Sequence, residues 1–366
     1  MLTEVSMIYG HYTNLLGVLL CIITACWSKW RFKAKNKENS VLLALLFCVA
    51  VSCVADSIAV WADGRLGAFC RALVYASNTW MFVGCMLNGA LWIWFIEEHI
   101  HGANSILHGM ILKITIAVGL AILFINMYLP IVFAVNGNNV YERRVLFFLY
   151  MVIQICFMID AIIMYVVAKY KLGGLSVYPI WKYILPLFVG MIGQLLVYGT
   201  SLIWPSAAIS TAILFAQFNG EDRYKNSVTN LYRYDYLPIL NDKLMKFRNK
   251  KYSIVMMQVL GLANIGIQHG EKEEENARLA ISGILNKTVK PKGVIVQCEN
   301  DAFAIVLNFV NNDVGEQCIK KLKNEFDEFN KLKKSEYALT VLFGQGIVDL
   351  KEESIENVVE TIRKSL

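Results

Sequence analysis

Val294-Ile-Val-Gln-Cys-Glu-Asn-Asp-Ala-Phe-Ala-Ile-Val-Leu307 decides how the second half of this chain is read. Two apolar, largely β-branched runs flank a polar turn at Glu299, Asn300 and Asp301, so strands are predicted at 293–297 and 302–310, joined as a hairpin. Upstream, residues 234–249 place Leu237, Leu240, Leu244 and Phe247 on one helical face, and 252–260 read as a short strand. Residues 271–285 and 315–332 read as amphipathic helices, 337–348 as a further strand, and 354–364 as a terminal helix with Ser354 as its N-cap. Strands and helices in this order predict an α/β domain with a mixed sheet covered by helices.

The first half has another character. The 366 residues are 56% hydrophobic, too apolar for one soluble domain of that length. Residues 1–218 hold 13 Lys/Arg and 8 Asp/Glu against 22 and 21 in the remainder, so nearly all of the net +6 lies in the apolar half. The charge-balanced tail has no basic stripe, which argues against a nucleic-acid partner. Seven spans are predicted, at 8–28, 40–62, 70–96, 108–130, 145–168, 179–202 and 205–219. Each is near the roughly 20 residues that cross a bilayer core, the last being shortest and following a Trp204-Pro205 corner. The N-terminus has neither a basic n-region nor a small-residue cleavage site, so no cleavable signal peptide is expected.

Lys/Arg placement sets the expected orientation. Lys29, Arg31, Lys33, Lys35 and Lys37 mark the first loop as cytoplasmic, and Lys169, Lys171 and Lys182 mark the fifth. The loops at 65–71 and 136–144 carry two such residues each and are expected outside. The N-terminus is then outside and the C-terminal domain cytoplasmic, in a multi-pass cell-membrane protein divided at 1–219 and 220–366. Most of the eight tryptophans fall at span ends, as an aromatic belt requires. The nine cysteines form no CxxC pair and read as small hydrophobes. Polar residues within spans are expensive and are functional candidates by default. Asp56 and Arg71 are expected at similar depth as an opposite pair, and Asp160 stands in the inner half of the fifth span. Asn78, Asn88, Gln154 and Gln194 add hydrogen-bonding capacity, either as interhelical glue or around a small ligand. The last span has no lysine, which excludes a retinal Schiff base there.

Motif by motif, the tail resembles GGDEF domains, the fold of bacterial diguanylate cyclases. Asn226-Ser-Val-Thr-Asn-Leu-Tyr-Arg-Tyr234 is similar to their opening D-x-L-T-G-L-x-N-R. Aligning Asn264 and His269 with D-x-D-x-F-K-x-I-N-D and G-H-x-x-G-D places Met256 and Gln258 at the two Asp positions, Leu260 at the Phe and Gly261 at the Lys. Glu273 takes the acid of the G-D step. The G-G-D-E-F hairpin falls on Glu299, Asn300, Asp301, Ala302 and Phe303, and S-I-G-x-A on Leu342-Phe-Gly-Gln-Gly346. The seven-span region is similar to the membrane parts that precede GGDEF domains in many Firmicutes proteins. Those parts are inferred to be sensors of unknown ligands, and the similarity runs through Asn136-Gly-Asn-Asn-Val-Tyr141, Ser201-Leu-Ile-Trp-Pro205 and Gln217-Phe-Asn-Gly220.

The resemblance implies two Mg²⁺ ions on the first-strand Asp and the hairpin acid, bridging GTP phosphates. Here those positions hold Met256 and Ala302, with Gln258 beside them, and Asp301 is the one remaining metal candidate. The A-K-x-x-G-R-N segment that holds phosphates in the family is not found. Asn264 and Glu273 remain candidates for a guanine edge, and Leu260 and Gly261 are further nucleotide-binding candidates. The expectation is therefore a receptor-like membrane protein with a catalytically degenerate GGDEF-like domain, acting by binding, dimerising or regulating a partner. No cofactor is expected, Mg²⁺ entering only if the domain is an active diguanylate cyclase. A transporter or channel with an appended domain is disfavoured by the lack of internal repeats and broken helix pairs. Expected partners are the lipid bilayer, a second copy, GTP or another guanine nucleotide, and a small ligand of the membrane region.

Overall fold

A computed structural model describes residues 2–28, 37–99, 106–172, 181–196, 201–247, 251–289, 292–309, 313–331 and 337–366. The chain divides into two compact units: Met1–His99, Ala103–Val166 and Tyr178–Asn219 form one, and Ile100–Gly102, Val167–Val177 and Gly220–Leu366 the other. The first-loop residues Lys29, Arg31, Lys33 and Lys35 lie outside the described residues.

The N-terminal unit contains α1 (Leu2–Trp27), α2 (Lys37–Ala62), α3 (Ala68–His99), α4 (Ile106–Asn126), α6 (Trp181–Leu196) and all but the last residues of α5 (Phe147–Leu172) and α7 (Ile203–Asp222). Among the described residues five helices, α1 to α5, are long and apolar enough to cross a membrane. The other two stand where the sixth and seventh spans are predicted. α7 is longer than expected and already includes Trp204 and Pro205, so the expected corner is its first turn, where a proline removes no intrahelical bond. It also continues through the predicted 217–220 exit to Asp222.

Small residues let these helices approach closely. A Cβ on Gly17 of α1 would stand 2.8 Å from the Cys53 sulfur of α2, and one on Gly84 of α3 would stand 2.7 Å from Ser52 Oγ. Trp80 donates its indole N–H to that same Ser52 oxygen at 3.1 Å, which accounts for a tryptophan away from the span ends. α4 ends at Asn126, short of the predicted 130, because Asn126 Oδ1 accepts the backbone amides of Val132 and Phe133 at 2.7 and 3.2 Å. The following loop is a small antiparallel ribbon, β1 (Phe133–Val135) with β2 (Tyr141–Arg143), which the sequence did not suggest. At its tip Asn139 adopts φ +61°, a left-handed conformation asparagine tolerates, and its amide donates to the carbonyls of Arg65 and Gly67.

The C-terminal unit is built on a five-stranded sheet of β3 (Tyr232–Arg233), β4 (Lys251–Leu260), β5 (Gly293–Gln297), β6 (Ala302–Asn308) and β7 (Thr340–Asp349), in the order β3-β5-β6-β4-β7. β3 runs parallel to β5 and every other pairing is antiparallel, which makes the predicted mixed sheet. β4 is central, paired with β6 on one side and β7 on the other. Its side chains alternate between two cores: Ile254 and Met256 face α8 (Leu237–Leu244) and α12 (Ile355–Ser365). Val255, Met257 and Val259 face α9 (Leu262–His269), α10 (Glu271–Val289) and α11 (Val314–Lys331).

The expected helices and strands all appear, with shifted ends. The 234–249 helix is shorter, a 3-10 turn at Tyr234–Tyr236 followed by α8, whereas α10 runs on to Val289. Ser354 caps α12 by accepting the Asn357 amide. Gly344 and Gly346 of β7 lie under α12, where added Cβ atoms would stand 2.6 and 2.9 Å from Ile362.

Phe326 of α11 is buried in the core that also holds Phe303 of β6. Replacing it with alanine removes the ring and leaves a cavity, at a cost of about 3–5 kcal/mol. Phe326→Ala will therefore speed amide hydrogen exchange in β4 and β6 by about 10²-fold or more, while α2 and α3 exchange unchanged.

Candidate functional site

The β4–β6 pairing brings the hairpin beside the end of β4. Gln258 stands opposite Ala302, and the Val259 amide donates to the Asp301 carbonyl at 2.8 Å. The turn closes through the amides of Cys298 and Glu299, which donate to the Ala302 carbonyl at 2.8 and 3.2 Å. Phe303 and Ala302 are buried on opposite faces of the sheet, as alternation in a strand requires. The Asp301 carboxylate is half-buried, with no hydrogen bond or ion pair among the described residues. Glu299 is exposed and pairs with Arg363 of α12, whose guanidinium also reaches Glu360 at 3.5 Å. Such exposed pairs contribute about 0–1 kcal/mol to stability.

Met256 sits in the middle of β4, fully buried between Ala304 and Gly344 in register. Its thioether belongs to the apolar core that also holds Leu240, Ile362 and, from the hairpin, Ala302. Gln258, one turn of the pleat further on, is half-buried. Leu260 and Gly261 follow at the exposed end of the strand, Gly261 at φ +73°, where a side chain would be strained. Asn264 is exposed in the first turn of α9. Glu273 lies in the first turn of α10 and holds the Asn276 amide at 3.0 Å. Among the described residues no hydrogen bond joins Asn264 to Glu273, and no three His, Cys, Asp or Glu gather to hold a metal ion.

The opening motif is held as its residue types suggest. The Asn226 side chain accepts the amides of Val228 and Thr229, and Asn230 adopts φ +56°, a conformation glycine also favours. Thr229 donates to Gln297 at 3.1 Å, Leu231 is buried, and Tyr232 stacks on Tyr236 at 3.9 Å.

Residues 227–366 match the family model of the diguanylate cyclase GGDEF domain. These residues form a GGDEF domain. Among solved structures, the chain is similar to the GGDEF domain of FimX from Pseudomonas aeruginosa, with 15% identity over 39% of this chain and 90% of that one, at a TM-score of 0.32. It is also similar to the GGDEF domain of DgcB from Caulobacter crescentus, solved with c-di-GMP, with 12% identity over 39% and 87% and a TM-score of 0.35. The diguanylate cyclase SiaD of Pseudomonas aeruginosa, solved with its activator SiaC, matches at 13% identity over 60% and 80% with a TM-score of 0.37. No curated protein matches the chain.

The polar candidates outside the GGDEF domain are arranged differently from expectation. Asp56 and Arg71 do not meet. Asp56 accepts the Asn14 amide at 2.9 Å and the Ser201 hydroxyl. Arg71 instead donates to the carbonyls of Asn136 and Val135 at 2.8 and 2.9 Å and to Asn139. Six residues separate Asp56 from the end of α2 at Ala62, about 9 Å along the helix, while Arg71 reaches the carbonyls of Val135 and Asn136 at the ribbon. Gln194 caps α7, accepting the amides of Leu202 and Ile203 at 3.1 Å each. Asp160 is half-buried on α5. The Arg363 contact with the hairpin escaped the sequence reading because its partner lies 64 residues away and no periodicity links them.

Burial pushes the Cys298 thiol, beside the hairpin, from its ordinary value of 9.0 up to about 12. The fold therefore holds that proton: the stability it contributes is complete below pH 9 and is lost as pH rises through about 12. Mass spectrometry will show Cys298 unalkylated by iodoacetamide at pH 8 in the folded chain and fully alkylated after unfolding.

Proposed function

We propose that this is a multi-pass membrane signalling protein whose GGDEF domain regulates by binding rather than by making cyclic di-GMP. The observation that carries the reading is Met256. A diguanylate cyclase needs hard oxygen donors for Mg²⁺ at this strand and at the hairpin. The positions present a thioether buried in the core, the neutral amide of Gln258 and the methyl group of Ala302, and only Asp301 offers a carboxylate. This donor set does not fit a pair of magnesium ions. Glu299, though paired with Arg363, replaces a glycine where the nucleotide phosphates would approach, adding a side chain and a negative charge. Phosphoryl transfer is catalysed mainly by positioning and charge neutralisation, and each lost contribution costs on the order of 10²-fold in rate.

Membrane residence is supported by the five long apolar helices and by the large apolar side chains they leave exposed, such as Leu16, Ile114, Phe124, Phe148 and Ile159. The reading keeps seven crossings, with α6 and α7 as the last two, the N-terminus outside and the GGDEF domain in the cytoplasm. Asn264 and Glu273 are kept as candidate contacts to a guanine edge, and a second copy of the chain as the partner.

Purified full-length protein supplied with GTP and Mg²⁺ will form no cyclic di-GMP above background by mass spectrometry. Turnover that disappears in Asp301→Ala would instead establish an active cyclase with atypical ligands. For topology, a reporter fused after Asn139 will read as extracytoplasmic and one after Lys225 as cytoplasmic, whereas a cytoplasmic signal at Asn139 overturns the seven-crossing arrangement.

A further inference from the structure

A cavity of about 270 Å³ opens inside the N-terminal unit, between α2, α3, α5, α6 and α7 and beneath β2. Its walls are ring faces and thioethers. Trp92 and Tyr183 stack at 3.7 Å and 10° on one side, and the buried Trp204 stands on another. Asn78 and Gln194 line this chamber but are bonded to backbone. Three other polar side chains present acceptor oxygens to it, beside the buried Tyr183 hydroxyl, which has no hydrogen-bond partner among the described residues and can donate or accept. Asn88 is 4% exposed and its Oδ1 has no hydrogen-bond partner. Gln154 Oε1 is likewise buried without one. Asp56 uses one carboxylate oxygen to hold Asn14 and Ser201, and no Lys or Arg pairs with it among the described residues. All three present oxygen acceptors, and aromatic faces and sulfur also favour positive charge.

A carboxylate in such a setting needs a countercharge or a proton, because a buried unpaired ion is costly. The nearest basic residue of the wall, Arg143 at the outer mouth, lies exposed with its guanidinium over the Phe147 ring at 4.7 Å. An anionic ligand would face Asp56 and two amide oxygens. A cation with N–H donors would satisfy all three and lie against the rings, where cation–π attraction contributes about 0.5–2 kcal/mol. Size narrows the class further. A dry cavity of about 150 Å³ accommodates benzene, so the space here suits one aromatic ring with a short ammonium-bearing chain.

We propose that this cavity is a binding site for a small arylalkyl ammonium compound, with Asp56 as counter-ion, Asn88 and Gln154 as acceptors for its N–H groups, and Trp92, Tyr183 and Trp204 around its ring. The proposal deepens the receptor reading above by giving the receptor a ligand class, and it stands apart from whether the GGDEF domain turns over GTP. Binding is therefore read apart from turnover, through tryptophans that all precede residue 220.

The test uses the full chain in lipid nanodiscs with four probes on one phenylalkyl scaffold: 2-phenylethylamine, its bulkier N,N,N-trimethyl derivative, 3-phenylpropan-1-ol and 3-phenylpropanoate. Tryptophan fluorescence and thermal stability report occupancy. 2-Phenylethylamine should saturate, the trimethyl derivative should bind more weakly for want of N–H donors, and the alcohol and carboxylate should bind at least about tenfold more weakly than the amine. Asp56→Asn should weaken the amine about tenfold or more, and Asn88→Leu several-fold, without strengthening the alcohol. The site assignment fails if the amine gives no saturable response, if the alcohol or carboxylate binds as tightly, or if Asp56→Asn binds the amine unchanged. Should Asp56→Asn not fold, as judged by gel filtration, the ranking of the four probes on the unaltered chain and on Asn88→Leu decides. Amine binding together with cyclic di-GMP synthesis would keep this site and discard the regulatory reading of the GGDEF domain.

Discussion

The GGDEF domain depends on one strand being buried on both faces. β4 is hydrogen-bonded along both edges, and both parities of its side chains enter apolar cores. A strand in that position reads as a continuous hydrophobic run, and residues 252–260 are such a run. The cores beneath α8 and α12, and beneath α9, α10 and α11, are joined only through this strand and its neighbours, so its side chains set the spacing of both layers. Met256 belongs to this packing. A flexible thioether fills space in the core it shares with Leu240, Ala304 and Ile362 without needing a polar partner.

Much of this was legible in the residues themselves. The β-branched runs, the helical spacing of Leu237, Leu240 and Leu244, and Ser354 as a cap are local signals, and each matched a described element. The helix α9 was not foreseen, and two further features, β3 and the β1–β2 ribbon, were missed for physical reasons. β3 is two residues long, with no room for alternation, and takes its identity only from the parallel partner β5. The β1–β2 ribbon has three residues per strand and is held by contacts far along the chain, to Asp63, Arg65 and Arg71. The end of α4 moved because a side chain, Asn126, competed for the backbone.

Within the candidate sites, residue type was easier to read than partnership. Asp56 and Arg71 were expected to meet on opposite charge and similar position, but they did not. Arg71 found carbonyl oxygens presented by the ribbon, and Asp56 found an amide and a hydroxyl. A guanidinium with five donors is satisfied by several carbonyls as well as by a carboxylate. The acceptors at Asn88 and Gln154 needed coordinates, because only these tell a bonded amide from an unbonded one.

The glycine seat beneath α12 has a bearing on ionic strength. Gly344 and Gly346 let Ile362 lie directly on β7, so the helix is positioned by shape and apolar burial, which added salt does not weaken. Its Arg363 contact with Glu299 is exposed, contributes about 0–1 kcal/mol, and weakens as the Debye length falls from about 10 Å at 0.1 M to about 3 Å at 1 M salt. Raising the salt concentration will thus release the Glu299 carboxylate at the hairpin tip while α12 stays docked, changing the charge presented there without changing the fold that presents it.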